Sequence, residues 1–202
     1  MIKVSIATEE DISRLLEIEM EMFSPPWSHG ALLSEIYRDD SFFAVAVTDN
    51  AQHKIHSSHP QNRREVISQE FSAHDSGSFI KDESTDYYGV SPSAKAKEAV
   101  REDAVIVGFI ILRRAADEGE LFQIAVDKAA RRRGIADMLM SAALEYAGDN
   151  ALKSLYLEVR KSNDAAIALY KKHGFKTVRH RKDYYISPIE DAVIMRREGS
   201  QW

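Results

Sequence analysis

The most informative segment of this chain reads Gln123-Ile124-Ala125-Val126-Asp127-Lys128-Ala129-Ala130-Arg131-Arg132-Arg133-Gly134-Ile135-Ala136-Asp137. It predicts a strand, a basic loop and the start of a helix, where several backbone N–H groups have no acceptor within the helix. The helix dipole and the arginines favour a diphosphate there, and Gly134 and the small Ala136 let the backbone approach its oxygens. The loop matches neither a Walker A loop nor a G-x-G-x-x-G sequence. Taken alone, it is equally consistent with a solvated basic turn.

A second stretch predicts a strand over residues 153–160 and the helix that follows it. Apolar residues alternate along the strand, so Glu158 and Arg160 face the side opposite to them. Asn163 is suited to cap the next helix, and Gly174 is suited to end it. A polar strand face with a carboxylate therefore precedes a well-delimited helix.

The remaining pattern predicts an alternation of strands and helices. The other predicted strands cover residues 3–7, 41–48, 104–113, 118–126, 175–180 and 190–196, and the other helices cover residues 8–22, 28–38 and 135–147. Pro25 and Pro26 must end the first helix, because proline lacks the N–H donor that a helix interior needs. Gly119 is expected in the turn of the central hairpin. The alternation, with that hairpin in the middle, predicts an α+β fold, an α/β mixed sheet.

Residues 50–98 differ in composition from the rest of the chain. They are rich in Ser, His, Gln, Lys and acidic residues and have no sustained periodicity. Such a segment buries too little apolar surface to offset its ordering entropy, so we expect a mostly mobile insertion in a single domain, 1–202. His53, His56 and His59 are closely spaced, but without cysteine or a rigid element we expect a solvated loop and no metal site.

Composition and charge exclude several classes of function. The 202 residues contain no cysteine, which excludes disulfide scaffolds, thiolate zinc sites, iron–sulfur clusters and a cysteine acyl-enzyme. There is neither a signal-peptide core nor an apolar run of about 18 residues, which predicts a cytoplasmic protein that does not span a membrane. The formal net charge of −5 argues against bulk nucleic-acid binding.

Several motifs in a fixed order carry a resemblance to a known family. The first is the basic loop at residues 131–136, and the second is Leu157-Glu158-Val159-Arg160-Lys161-Ser162-Asn163 with the helix that follows it and Gly174-Phe175. The third is Phe23-Ser24-Pro25-Pro26-Trp27-Ser28. The fourth is Arg181-Lys182-Asp183-Tyr184-Tyr185, which precedes Glu190-Asp191-Ala192-Val193-Ile194-Met195. Together they resemble the GNAT superfamily of N-acetyltransferases. Within it they most resemble the bacterial ribosomal-protein-alanine N-acetyltransferase (RimI) family. The resemblance covers nearly the whole chain except the insertion.

The resemblance implies a fold and a set of residues that bind acetyl-CoA. In the GNAT fold, helices flank a mixed sheet whose two middle strands splay apart to admit the cofactor. The residues implied to bind it are Ile124, Ala125, Val126, Arg131, Arg132, Arg133, Gly134, Ile135, Ala136, Asp137 and Asn163. The strand residues would bond the pantetheine arm through their backbone, and the loop and helix start would surround the diphosphate. Asn163 is also consistent with a plain helix cap.

The resemblance also implies two catalytic residues, Glu158 as general base and Tyr170 as general acid. Glu158 would remove a proton from an N-terminal amine, directly or through a water, because such an amine has a reference pKa of about 7.7–8.0. Tyr170 would donate to the departing CoA thiolate. As alternatives, Glu158 forms an ion pair with Arg160 on the same strand face, and Tyr170 only packs in its helix. Without a cysteine, direct transfer is the expected mechanism.

The acceptor side is expected to consist of two aromatic loops. Phe23 and Trp27 would lie on one wall, and Asp183, Tyr184 and Tyr185 would come from a loop on the other. Alternatively, Trp27 and Tyr184 only fasten loops to the core. The implied function is acetylation of the N-terminal alanine of a small-subunit ribosomal protein. The alternatives are a GNAT enzyme for other protein N-termini, lysines or small amines, and a non-catalytic acyl-CoA-binding module.

Overall fold

In a computed structural model, residues 1–49 and 104–199 are described. These residues form one seven-stranded sheet in the order β1-β2-β3-β4-β5-β7-β6. The strands are β1 (Ile2–Ile6), β2 (Ser41–Asp49), β3 (Ala104–Ala115), β4 (Glu118–Val126), β5 (Ser154–Arg160), β6 (Lys176–Ile186) and β7 (Ile189–Glu198). The helices are α1 (Ile12–Met22), α2 (His29–Ile36), α3 (Ile135–Asp149) and α4 (Asp164–Lys172).

The sheet is mixed, which confirms the predicted fold class. The pair β4–β5 is parallel, and the other neighbouring strands run antiparallel. The strands on either side of the proposed insertion are direct neighbours, since Asp49 is opposite Ala104. The prediction of a mobile insertion at residues 50–98 lies outside the described residues.

Each face of the sheet carries its own hydrophobic core. On one face, residues of α3 and α4 pack with Leu121, Leu155 and Leu157. On the other, residues of α1 and α2 pack with Phe43 and Phe109. The continuous apolar run of β3 follows from this arrangement, because its middle residues are buried on both faces.

The helices begin and end at the capping residues, prolines and glycine that the sequence predicts. Ser28 caps α2 by accepting a hydrogen bond from the Ala31 N–H at 3.2 Å, and α1 ends before the two prolines. Asn163 caps α4 by accepting from the Ala166 N–H, also at 3.2 Å. Gly174 follows α4 with φ +83°, the left-handed conformation that glycine adopts without strain.

The prediction that Gly119 forms the central turn is wrong. The chain reverses at Ala116 and Asp117, and Ala116 takes the positive φ of 54°. Gly119 lies within β4, where a Cβ atom would come within 2.4 Å of the Leu155 side chain. The glycine is therefore required by packing between strand and core.

The prediction of a loop at residues 183–185 is also wrong. These residues lie inside β6, which pairs with β7 on both sides of an irregularity between Arg181 and Tyr185. At this irregularity Asp183 has φ 51°, and its N–H donates to the Asp191 carboxylate at 3.1 Å. The polar sequence suggested a loop because β6 is an exposed edge strand.

Candidate active site

Strands β4 and β5 are paired over only part of their lengths. Parallel pairs join residues 118–121 to residues 154–157, after which β4 continues along β3 and β5 continues along β7. From Phe122 onward, no strand among residues 1–49 and 104–199 pairs with the β4 edge that faces β5. Backbone groups at that edge are available to another extended chain. The predicted splay of the two middle strands is confirmed.

A β-bulge lies where the strands separate. Leu121 and Gln123 are each opposite a residue of β3, whereas Phe122 is extra. The bulge changes which face the later side chains occupy. Leu121 belongs to the core under α3 and α4, whereas Ala125 belongs to the core under α1 and α2.

The start of α3 forms an open, positively polarised cradle. The Met138 N–H donates to the Gly134 carbonyl at 3.1 Å, which leaves the N–H groups of residues 135–137 without an acceptor in the helix. Gly134 has φ +77°, and a Cβ atom added there would meet nothing within 4 Å. Free N–H groups, open space and neighbouring arginines together fit a diphosphate.

The charged residues around this cradle point in different directions. Arg131 folds back, with Nε donating to the Val126 carbonyl at 3.3 Å, whereas Arg132 is exposed at φ +63°. Asp137 turns towards the end of α4 and accepts from the Lys172 Nζ at 2.6 Å. The Lys172 hydrogen bond, with a further one from His173, lowers the pKa of Asp137. Of the other predicted residues in the cradle, Ile135 is buried and Arg133 and Ala136 are half-buried.

Glu158 lies at the separation of the strands, one residue beyond the last β4–β5 pair. Its Oε1 accepts from the Arg181 Nη1 at 2.7 Å. The Tyr184 hydroxyl also hydrogen-bonds to Glu158, and this bond raises the pKa of Tyr184. The alternative ion pair with Arg160 is wrong, because the Arg160 Nη1 binds the Glu190 Oε2 at 3.1 Å.

A cavity of about 440 Å³ opens beside Glu158 on the α1–α2 side of the sheet. Its lining includes Phe122, Glu120 and Arg113. Burial raises the pKa of Glu120, the charge of Glu158 raises it further, and Arg113 opposes both effects. Glu120 and Glu158 thus interact across one cavity, whose lining also contains two further carboxylates, Asp40 and Glu118, and three arginines, Arg38, Arg113 and Arg114.

Tyr170 is buried in α4 and has Tyr185 as a polar neighbour. Its ring packs on Phe175 with centroids 6.0 Å apart, so it does pack in the core. Burial raises the pKa of Tyr170, with a smaller contribution from Tyr185. Burial likewise raises the pKa of Tyr185 to about 12, followed by the charge of Glu158. Tyr185 is therefore within electrostatic reach of both predicted catalytic residues.

The loop between α1 and α2 forms an aromatic wall next to the cavity. Trp27 meets Phe122 edge-on with ring centroids 6.2 Å apart, and the Arg113 guanidinium lies 4.2 Å from the Phe122 ring centroid. The Arg113 guanidinium also forms an ion pair with Glu35, which is fully buried. Its Nε donates to the Glu35 Oε2 at 2.8 Å. Phe23 points into the core, with its ring 6.4 Å from that of Phe109.

The sequence did not predict the roles of several polar side chains, namely Arg113 and Glu120 in the cavity lining, Arg181 on Glu158, and the buried Glu19, Glu35 and Gln123. The sequence does contain a signal for two of them. Glu19 and Glu35 lie on the apolar faces of α1 and α2, where a charged residue indicates a buried polar contact. No local signal identifies Arg113 or Arg181, because their roles depend on which strands become neighbours.

Two further observations bear on other kinds of site. Among residues 1–49 and 104–199, no helix is both long enough and apolar enough to cross a bilayer. In the same ranges, no group of three or more His, Asp or Glu side chains is arranged to hold a metal ion. His53, His56 and His59 lie outside the described residues.

Comparisons with known proteins converge on one family. The pattern described as the acetyltransferase (GNAT) family matches residues 57–175, more than half of the chain. The ribosomal protein bS18-alanine N-acetyltransferase of Salmonella typhimurium is 41% identical over 95 residues, 46% of this chain and 64% of that protein. The matched segment thus spans less than two thirds of that relative's length.

Solved structures share the fold along nearly the whole chain. The ribosomal-protein-S18-alanine N-acetyltransferase of Escherichia coli superposes with a TM-score of 0.63 at 23% identity, covering 98% of this chain and 94% of that one. Arabidopsis thaliana NAA60 in complex with acetyl-CoA superposes with a TM-score of 0.65 at 17% identity, covering 98% of both chains. These similarities confirm the predicted GNAT fold.

Proposed function

The chain belongs to the GNAT acetyltransferase family, and on that premise we propose that it transfers the acetyl group of acetyl-CoA to the α-amino group of a protein N-terminus. One observation carries the proposal. Glu158 is the first residue of β5 beyond its last pair with β4, beside a cavity of about 440 Å³ that it helps to line. A carboxylate at that point is within reach of both the gap between the strands and an amine in the cavity.

The gap between β4 and β5 and the cradle at the start of α3 are the proposed binding site of the cofactor. Acetyl-CoA supplies an acetyl group activated as a thioester. The β4 edge at residues 124–126, which no described strand pairs, would hydrogen-bond the pantetheine amides as a further strand would. The N–H groups of residues 135–137, with Arg132 and Arg133 nearby, would hold the diphosphate. The crystal structure of Arabidopsis thaliana NAA60 in complex with acetyl-CoA, which has the same fold, supports acetyl-CoA as the ligand.

Glu158 is the proposed base. An N-terminal amine is largely protonated at neutral pH and must lose a proton before it can attack the thioester. Glu158 accepts that proton directly or through a water, for a contribution of about 10²- to 10⁴-fold. The hydrogen bonds from Arg181 and Tyr184 orient the Glu158 carboxylate.

Tyr170 is the proposed acid. Its phenol donates a proton to the CoA sulfur as the thioester bond breaks. Burial raises the pKa of Tyr170, which keeps the phenol protonated throughout the physiological range. The chain has no cysteine, so the acetyl group passes directly from thioester to amine.

We infer further that the acceptor begins with alanine and is a small-subunit ribosomal protein, which implies a cytoplasmic reaction. The description of the Salmonella typhimurium relative as a bS18-alanine N-acetyltransferase supports this. The wall of Trp27 and Phe122 on one side, and Tyr184 with Asp183 and Tyr185 on the other, suit an extended peptide that enters by its first residues. No direct contact with nucleic acid or membrane is required.

A peptide panel tests the proposal. Release of the CoA thiol is followed with peptides that begin with Ala, Ser or Met, with an Nα-blocked lysine peptide and with spermidine. We expect the highest kcat/KM for the Ala peptide. Glu158→Gln should lower this value about 10²- to 10⁴-fold. Glu145→Gln, an exposed carboxylate on α3, serves as the matched control and should change nothing.

Other results of the peptide panel would support one of the alternative functions. Equal rates with the three N-terminal peptides would remove the alanine preference. Acetylation of only the lysine peptide or spermidine would replace the N-terminal acceptor. Tight acetyl-CoA binding without turnover of any acceptor would favour a non-catalytic acyl-CoA-binding module.

A further inference from the structure

Glu19 is a buried carboxyl group that the proposed mechanism does not use. It lies in α1 beside Ile18, on the helix face that packs against the sheet, and its exposed fraction is 0%. Burying a carboxyl group is unfavourable unless polar partners compensate. Its partners therefore indicate what the group does.

The partners of Glu19 lie in the α1–α2 loop and on β4, which together form one wall of the proposed acceptor site. Its Oε2 accepts from the backbone N–H of Trp27 at 3.0 Å. The Gln123 side chain also hydrogen-bonds to it. Gln123 immediately follows the bulge residue Phe122, and Phe122 is the ring that Trp27 meets edge-on. The α1–α2 loop is thus attached to the bulge twice, through Glu19 and through the aromatic rings.

Stability alone does not account for this pair. Glu19 Oε1 and Gln123 Oε1 are both buried, and neither has a hydrogen-bond partner among residues 1–49 and 104–199. A buried acceptor without a donor destabilises the fold. Apolar side chains of similar size at both positions would avoid that cost. A role in holding the loop explains why polar groups stand there.

We propose that Glu19 and Gln123 are positioning residues that hold the α1–α2 loop on the β4 bulge and so shape the acceptor wall. Gln123 is opposite Ile111, whose side chain lies in the core under α1 and α2, so the pair acts on the acceptor face of the sheet. The cofactor cradle at α3 packs on the opposite face. The inference rests on the proposed function, because it assigns this wall to acceptor binding.

The test uses Trp27 as its own reporter. The chain contains two tryptophans, so Trp202→Phe leaves Trp27 as the single emitter. In that background, Glu19→Leu, Gln123→Leu and Glu19→Gln are compared with Glu21→Leu, which makes the same change at an exposed position of α1. Trp27 emission and its quenching by acrylamide, acetyl-CoA affinity, and kcat and KM for an Ala-starting peptide are measured for each variant.

We expect Glu19→Leu and Gln123→Leu to shift Trp27 emission to longer wavelength and to raise the acceptor KM about tenfold, as loss of a buried hydrogen bond would. Acetyl-CoA affinity should stay within about twofold. Glu19→Gln should restore most of the acceptor KM, because its amide oxygen still accepts from Trp27 and its NH₂ group can donate to Gln123. Glu21→Leu should match the parent protein.

Three results would overturn the proposal: unchanged Trp27 emission in Glu19→Leu, an equal loss of acetyl-CoA affinity and acceptor affinity, or failure of Glu19→Gln to restore either signal. Emission and quenching are measured without substrates. If the parent protein acetylated no peptide, the proposed function would fail, while the emission data would still decide whether Glu19 and Gln123 hold the loop.

Discussion

The two sides of the β4–β5 gap are built in different ways. The cofactor side consists mainly of backbone, namely the β4 edge that no described strand pairs and the first N–H groups of α3, and it comes from the contiguous residues 124–137. The acceptor side consists of side chains from α1, α2, β3, β4, β5 and β6, such as Glu35, Arg113 and Arg181. Segments far apart in sequence must therefore fold before it exists.

Substitutions should impair the two sides in different ways. A backbone site tolerates side-chain substitutions but depends on local φ and ψ angles. A site made of paired side chains loses a partner with every substitution, and a buried partner left alone is costly. Substitutions on the acceptor side should therefore affect stability or chemistry strongly, and those on the cofactor side should act through conformation.

The largest effect is expected at Arg113. Arg113→Met leaves the fully buried Glu35 without its guanidinium partner, and loss of one member of a buried ion pair typically costs about 3–5 kcal/mol. The free energy of unfolding from urea titration measures it. The exposed neighbour Arg114 is the control, and Arg114→Met should stay within about 0.5 kcal/mol of the parent protein. Similar losses in both variants would mean that the buried Arg113–Glu35 pair does not contribute the stability expected of it.

Tyr170→Phe should lower kcat about 10²-fold, with little change in acetyl-CoA affinity, because it removes only the proposed proton donor. Burial raises the pKa of Tyr170, so the parent enzyme should show no loss of kcat from this group up to about pH 10. A pH profile of kcat checks this. Tyr146→Phe, at a tyrosine stacked on Phe42 in the core, controls for the lost hydroxyl. An unchanged kcat in Tyr170→Phe would leave this tyrosine a packing residue only.

On the cofactor side, Gly134→Ala should weaken acetyl-CoA binding several-fold, because the left-handed conformation costs an L-residue about 1–2 kcal/mol. Isothermal titration with CoA measures the effect. Gly30→Ala makes the same change inside α2, where space is free, and should stabilise the protein by about 0.5–1 kcal/mol without altering CoA affinity. Equal behaviour of the two variants would contradict the view that the cofactor side depends on backbone conformation.

The smallest effect is a pH dependence of stability at Glu19. Burial raises its pKa in the folded state, so the folded protein favours the protonated form. The stability that this group contributes is full below the unfolded pKa of about 4.3 and is lost as the pH rises through the folded-state pKa. Glu19→Gln does not ionise, so its Tm relative to the parent protein should be about 2–4 °C higher at pH 7.5 than at pH 4.5. A difference independent of pH would mean that Glu19 does not change its ionisation between the two pH values.

Most of the local structure follows from sequence patterns. The alternation in β5, the prolines after α1, the cap at Asn163 and the left-handed Gly174 each act within a few residues, and the structure confirms them. The two local errors have a tertiary cause. Gly119 is required because the side chain of Leu155 leaves no room for a Cβ atom, and residues 183–185 lie in β6 because β7 pairs with Arg181 and Tyr185 on either side of the irregularity.

Local patterns in the sequence predict the mixed α+β fold, the position of the basic loop before α3 and the alternation that turns Glu158 away from the core. Contacts between distant segments establish that Arg181 rather than Arg160 pairs with Glu158, that Glu35 binds Arg113, and that Glu19 joins Trp27 to the β4 bulge. The two kinds of feature differ in the distance along the chain over which the residues interact. Helix caps, turns and side-chain periodicity depend on neighbours along the chain, whereas a buried polar group finds its partner only after sheet order and register bring distant segments together.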